Sequence, residues 1–283
     1  MKFFQLLTLL VFIHCYPIRA QIDMNQAGFG TFRDTRIING HSVETSKKGE
    51  LKFIISHRFG NVKDGVNGFW GLDNSTIRIG LDYGLSNRFT IGIGRSSFNK
   101  TYDALAKFRG LIQNERIPVS VTLFTSAAIV TLEESAFNYE VKVRDRMTYA
   151  YQLLISRKFG ERFSLQLMPT MVHRNVVEEA ESITNDVFAV GGALKYQITK
   201  NLALTSEYYY TLPDQIEERF NNSVSIGVDI ITKGHAFQLS VSSSRGMIEK
   251  YFIGETEGDF FDGDLHIGFN ITRDFKIGKR KYH

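Results

Sequence analysis

From Glu50 onward the chain keeps a two-residue rhythm of apolar and polar positions. Between Arg78 and Gly94, RIGLDYGLSNRFTIGIG puts Ile79, Leu81, Tyr83 and Leu85 on one parity, with Arg78, Gly80, Asp82 and Gly84 on the other. The rhythm resumes after Ser86-Asn87 with Phe89, Ile91 and Ile93. A period of two belongs to strands, and the short break between them reads as a tight hairpin turn. The same reading predicts twelve strands, over 50–59, 74–86, 88–98, 101–113, 118–130, 146–159, 162–174, 187–199, 202–212, 222–233, 235–247 and 262–275. Soluble strands typically run about five or six residues. Most of these are about twice that, near the roughly 9–11 that a tilted strand needs to cross a bilayer.

Connections alternate in length. Ser86-Asn87, QNERIP, Gly160-Glu161, Lys200-Asn201 and Lys233-Gly234 are tight. GNVKDGVNGFWGLDN, TLEESAFNYEVKVRD, NVVEEAESITND, PDQIEERFNN and IEKYFIGETEGDFFDG are extended and polar, and only the Asn99-Lys100 connection in that series is short. Short turns on one rim and long loops on the other mark an outer-membrane barrel. An even strand count brings both ends of the barrel to the short-turn rim. A secreted β-sandwich would share the alternation around an internal core. It would not account for the strand lengths, the asymmetric turns, or aromatics at strand ends such as Phe59, Phe89, Tyr102, Phe159, Tyr208, Tyr210 and Phe275. The predicted fold is therefore all-β: a closed antiparallel up-and-down transmembrane barrel of about twelve strands, spanning 50–283.

On that fold the apolar parity meets lipid and the other parity lines the lumen. The predicted lumen-lining residues are Lys52, Arg58, Arg78, Asp82, Asp103, Lys107, Arg109, Arg174, Lys195, Glu207, Asp229, Asp264 and His266. Unpaired charges in a narrow bore are costly, so opposite signs should pair across strands. Residues 21–49 show little strand pattern. RIINGHSVETSKKG carries an Asn39-Gly40 turn, and this periplasmic N-terminal segment arrives where it could enter the lumen as a plug.

The start of the chain fixes the compartment. Met1-Lys2 is positive, Leu6 to Ile13 is apolar apart from Thr8, and Ile18-Arg19-Ala20 precedes Gln21, as in a secretory signal peptide over 1–20. That apolar run is too short for a spanning helix, which needs about 20 residues. The single cysteine, Cys15, lies inside it with His14 rather than a small residue before it, so the mature chain is expected to carry no disulfide, thiolate site or lipid anchor. The formal charge of the 283 residues is +4, nearly balanced, and gives no reason to expect nucleic acid as a partner.

RIINGHSVET, LKFIISHRFG, GLDNSTIRIGLDYGLSNRFTIGIGRSSFNKTYD, IPVSVTLF, YQLLISRKFGERFSLQLMPTMVHRN, FQLSVSSSRGMIEKYFIGET and DLHIGFNITRDF resemble a family of predicted outer-membrane β-barrel proteins of Bacteroidota, a domain of unknown function. The resemblance runs over roughly 30–275. It implies an outer-membrane barrel and supplies no substrate, reaction or site residue.

Catalytic and metal chemistry find little support in the residues. Ser240, Ser242 and Ser244 with His235, or Ser96 and Ser97 beside Arg95, are the only serine groupings to weigh for a lipid hydrolase. None carries a G-x-S-x-G elbow. His41, His57, His173, His235, His266 and His283 are scattered without ligand spacing. Glu178, Glu179 and Glu181, or Asp259, Asp262 and Asp264, read as solvated loop acids rather than a calcium loop. The expectation is a non-enzymatic barrel without cofactor or metal. A narrow or gated pore for a small solute comes first. A structural or docking barrel for a periplasmic or surface protein is the alternative, and a lipid hydrolase the remote one. Membrane lipids surround it in each case.

Overall fold

In the computed structural model, residues 30–133, 135, 142–176, 184–232 and 235–277 are described. The signal stretch 1–20, the Lys233-Gly234 turn, His283 and the loop acids Glu178, Glu179 and Glu181 lie outside them.

Twelve strands follow the chain in order: β1 Glu50–Asn61, β2 Ser75–Ser86, β3 Phe89–Ser96, β4 Thr101–Leu111, β5 Ser120–Val130, β6 Met147–Phe159, β7 Phe163–Arg174, β8 Asp186–Gln197, β9 Leu202–Thr211, β10 Ser223–Thr232, β11 His235–Ser242 and β12 His266–Lys276. Each pairs antiparallel with its chain neighbours, and β1 closes on β12 from Glu50↔Lys276 to Ser56↔Asn270. Closure leaves no edge strand, so every ladder hydrogen bond is made within the wall, which a bilayer demands.

The alternation maps onto the two faces. β2 reads exposed–buried along its length: Ile77, Ile79 and Leu81 point out while Thr76, Arg78 and Asp82 point in. Ile93, Leu123, Ile226 and Leu239 continue the outward apolar belt around the wall. Among the described residues the tight turns, with the start of β1 and the end of β12, share one rim, and the longer connections leave from the other.

β11 stops at Ser242 instead of running to 247, and β12 begins at His266 instead of 262. Residues 243–265 are not an outward loop throughout. They turn into the barrel, where a short helix, α1 Glu249–Gly254, is buried with Met247 and Ile248 before it. The MIEKYFI stretch is too apolar to stay in water. The barrel therefore has an interior core. Phe32, Ile37, Ile38 and Val43 from the N-terminal segment join Phe252 and Ile253 of α1 and wall residues such as Phe124, Leu154, Met168 and Tyr209.

Candidate functional site

The wall supplies a charged inner face. Lys52, Arg58, Arg78, Asp82, Asp103, Lys107, Arg174, Lys195, Glu207, Asp229 and His266 are all buried on it, and Arg109 nearly so. Some of these charges pair within the wall. Arg78 Nε donates to Asp103 Oδ1 at 2.9 Å, and Nη2 donates to the second oxygen. Gly94 makes room for that guanidinium, since a Cβ there would fall 2.3 Å from Arg78 Nη2. Gln238 Nε2 donates to Asp229 Oδ1 at 2.6 Å. Arg174 Nη2 donates to the carbonyls of Thr184 and Gln215 near the long-loop rim. Asp264 does not line the bore. It sits in the loop before β12, part-exposed, taking Lys63 Nζ at 2.9 Å and Asn61 Nδ2 at 3.1 Å, because the strand parity that would turn it inward starts only at His266.

Residues 31–46 run inside this wall as a hairpin that enters from the tight-turn rim. Lys48 N donates to Asn87 Oδ1, and Gly49 N to the carbonyl of Gly84. Arg36 bridges His41, and Ile37 N donates to the Gly40 carbonyl at 2.8 Å. Ile38-Asn39 thus form the corner, one residue earlier than the Asn39-Gly40 turn the sequence suggests. Gly40 serves a steric purpose instead. It is absent from the positive-φ residues, and a Cβ on it would lie 2.1 Å from Tyr209 Oη.

Two wall residues grip the hairpin from opposite sides. Glu207 of β9 accepts the backbone N–H groups of Ile38 (3.2 Å), Asn39 (2.7 Å) and Gly40 (3.1 Å). Lys107 of β4 donates to the carbonyls of Thr35 (3.1 Å), Ser42 (2.7 Å) and Glu44. Arg58 Nη2 reaches Asn39 Oδ1 at 2.8 Å, Arg109 Nη1 reaches Glu44 Oε2 at 2.7 Å, and Lys52 Nζ reaches Asp34 Oδ1 at 2.7 Å. Burial alone would raise the Asp34 carboxyl; the Lys52 ammonium overrides it and holds Asp34 below the usual carboxylate range.

The hairpin meets the inward loop mid-bore. His41 stacks on Phe124, centroids 4.2 Å apart, with Nε2 3.6 Å from Glu249 Oε1 of α1. Burial, with Arg36 and Lys107 near, holds His41 well below the ordinary imidazole value, and burial pushes the Glu249 carboxyl up. Tyr209 touches both inserts: its ring packs 5.0 Å from that of Phe252, and its hydroxyl lies under Gly40. α1 is also tied to the wall through Tyr251 Oη and Thr101 Oγ1 (2.6 Å) and through Thr211 Oγ1 donating to the Ile253 carbonyl.

Together the inserts close the bore. Arg58, Arg78, Asp82 and Lys107 have 0% of their surface exposed, which an open water path would not allow. A cavity of about 30 Å³ beside Arg33, Asp34 and Asn270, and one of about 10 Å³ between Asp103, Ser126, Thr148 and Glu249, hold only a water or two.

The serine groupings do not assemble. Ser240 and Ser242 point into the bore, whereas His235 lies on the outer face stacked on Phe237. His57 and His173 also face outward, against Phe269 and Tyr149. Among the described residues no group of three or more His, Cys, Asp or Glu side chains is arranged to hold a metal ion. What sequence reasoning missed is α1 and the hairpin's own polar atoms, Asp34, Asn39 and Glu44. The apolar MIEKYFI inside a polar connection was the available signal.

Residues 32–275 match the model of the membrane bound beta barrel domain family (DUF5777), so the chain belongs to that family of membrane-bound β-barrels. No curated protein matches it in sequence. Among solved structures, the NanC porin is 8% identical with TM-score 0.49, covering 80% of this chain and 99% of that one. An outer membrane channel from Pseudomonas putida F1 is 13% identical with TM-score 0.46, covering 82% and 98%. Outer membrane phospholipase A from Escherichia coli is 10% identical with TM-score 0.43, covering 79% and 89%. At such identities the likeness carries no function across.

Proposed function

We propose that the protein is a gated outer-membrane channel for a small solute, closed in the described state and opened when the 31–46 hairpin leaves the bore, and that it has no enzymatic role. The observation that carries this reading is how the bore is filled. Many inward wall positions are small and polar, among them Thr90, Thr122, Ser156, Ser164, Thr205 and Ser225. A barrel meant only as a scaffold can fill its interior with its own side chains, as small barrels do. Here a hydrophilic wall holds a separate segment by hydrogen bonds and ion pairs, which can be broken and remade.

Single-channel recording in planar bilayers tests the reading. The intact chain should give rare, brief steps. Glu207→Ala strands three hairpin N–H groups, each costing about 1–3 kcal/mol when buried unpaired. It should raise the frequency of opening by at least an order of magnitude, as should deletion of 31–46. Silence from all three folded proteins would overturn the channel reading.

One observation favours a docking barrel as a second reading. Phe261 is 88% exposed, and Phe69 and Trp70 stand exposed in the neighbouring long loop, both at positive φ. Silence in bilayers together with loss of surface attachment in a Trp70→Ala, Phe261→Ala double variant would favour it.

A further inference from the structure

We infer that the channel takes extended, oxygen-rich anions: solutes that carry a carboxylate and a series of hydroxyl or carbonyl oxygens. This rests on the gated-channel reading and adds the chemistry of the cargo. The observation is what the wall asks of the segment that occupies its bore.

Of the wall cations that meet the hairpin, Lys195 sits over the Phe32 ring and four others each take an oxygen. Lys107 gathers three carbonyls, Arg58 an amide oxygen, and Arg109 and Lys52 one carboxylate each, from Glu44 and Asp34. Three wall amides also donate to it, Gln166 to the His41 carbonyl at 2.7 Å, Asn270 to that of Ile38 at 2.9 Å and Gln238 to that of Ile37, while Gln166 Oε1 accepts the Val43 N–H. The hairpin's own charges balance, Arg33 and Arg36 against Asp34 and Glu44, so net attraction does not explain this selection. The wall is built to read oxygen along an extended path from Lys52 and Arg109 near the tight-turn rim to Arg58 and Lys107 deeper in.

Once the hairpin leaves, Lys52 keeps Asp274 and Arg58 keeps Asn270, but Lys107 loses all three of its acceptors and Arg109 its carboxylate, and a buried cation without an acceptor is costly. A solute that restores the same contacts is the one the bore holds best. On the acidic side Asp103 stays with Arg78 and Asp229 with Gln238, whereas Glu207 loses the hairpin donors and the buried Asp82 loses the neighbouring charge of Arg36. Lys107 and Arg109, with the row of amide donors, then favour anions bearing oxygens at intervals over cations.

The experiment uses channels opened without touching any of these wall residues: Gly40→Ala, which spoils the hairpin seat against Tyr209, and, independently, deletion of 31–46. Reversal potentials in a potassium chloride gradient, and vesicle swelling with glucuronate, glucose and glucosamine at matched size, are read for both. The expected result is anion selectivity, with glucuronate entering several-fold faster than glucose and glucosamine slowest, and loss of that order in Lys107→Met, Arg109→Met. In the intact chain, glucuronate should compete with the hairpin and raise opening frequency several-fold where glucose does not. Conducting channels that prefer cations, or that rank the three sugars equally, overturn the inference and leave the gated channel standing. Opened variants that fold but conduct nothing overturn the channel reading and this inference with it.

Discussion

At the scale of single residues the filled bore depends on close fits. Gly40 lies where any Cβ would collide with Tyr209 Oη, itself fully buried and in contact with Met168. Gly40→Ala must displace either the tyrosine or the hairpin corner, and overpacking of this kind costs about 1–3 kcal/mol. The expected outcome is a hairpin cleaved by added protease around 36–44 while the barrel keeps its heat-modifiable migration on gels; unchanged protection would show that the corner yields freely. Asp34 sets a pH limit on the same segment. Its carboxylate is favoured when seated beside Lys52, below its ordinary value of 3.8. The stability it contributes is therefore fully present above about pH 3.8 and is lost only as pH falls through the seated value. Protection of the hairpin should stay level from pH 8 to 5 on this account and decline below 4, and Asp34→Asn should loosen it at neutral pH. Loosening of the native chain between pH 7 and 5 that Asp34→Asn abolishes would contradict the assignment.

At the scale of elements, strands and inserts obey different physics. Strands are specified by parity, so Arg78, Lys107 and Glu207 could be placed on the inner face from sequence: one side of each ribbon must be apolar throughout. α1 could not be placed that way. Six residues show no period, and its partners Thr101, Ser126, Tyr209 and Thr211 are distant in sequence. The same limit explains Asp264, whose spacing fits β12 although the chain there is still returning from the bore. The hairpin entry was legible from an unpatterned segment next to a narrow lumen. Its grip was not, because Glu207 and Lys107 bind backbone atoms that carry no residue signature. The inserts rest on apolar packing as well as polar bonds. Phe252→Ala removes a fully buried ring between Tyr209 and the hairpin core, a change that typically costs about 3–5 kcal/mol. Since the strands close on themselves without α1, the loss should appear as faster proteolysis within 243–262 and not as unfolding of the barrel. Global loss of the folded form would mean that the wall depends on its contents.

At the scale of the whole molecule the wall is inverted relative to a soluble domain, with a greasy belt outside and buried ions on its inner face around the apolar core of the inserts. The inversion can be tested on one strand. Ile93, mid-way along β3, is 62% exposed and faces outward between Leu81 and Ala104. Two residues on, the same face carries Arg95 at the long-loop end, its guanidinium 5.5 Å over the Tyr102 ring. In a bilayer, arginine on the lipid face costs about 2–4 kcal/mol at the midplane and about 0–1 near the interface. Ile93→Arg should therefore lower unfolding stability in phospholipid vesicles by the larger amount, whereas Arg95→Leu should change it little. A soluble sandwich would give the opposite ranking, because an exposed isoleucine gains hydration on conversion to arginine while loss of the Arg95–Tyr102 contact costs slightly. Denaturant titration of both variants in the same vesicles distinguishes the two. A near-zero effect at Ile93 would mean that this face does not meet acyl chains.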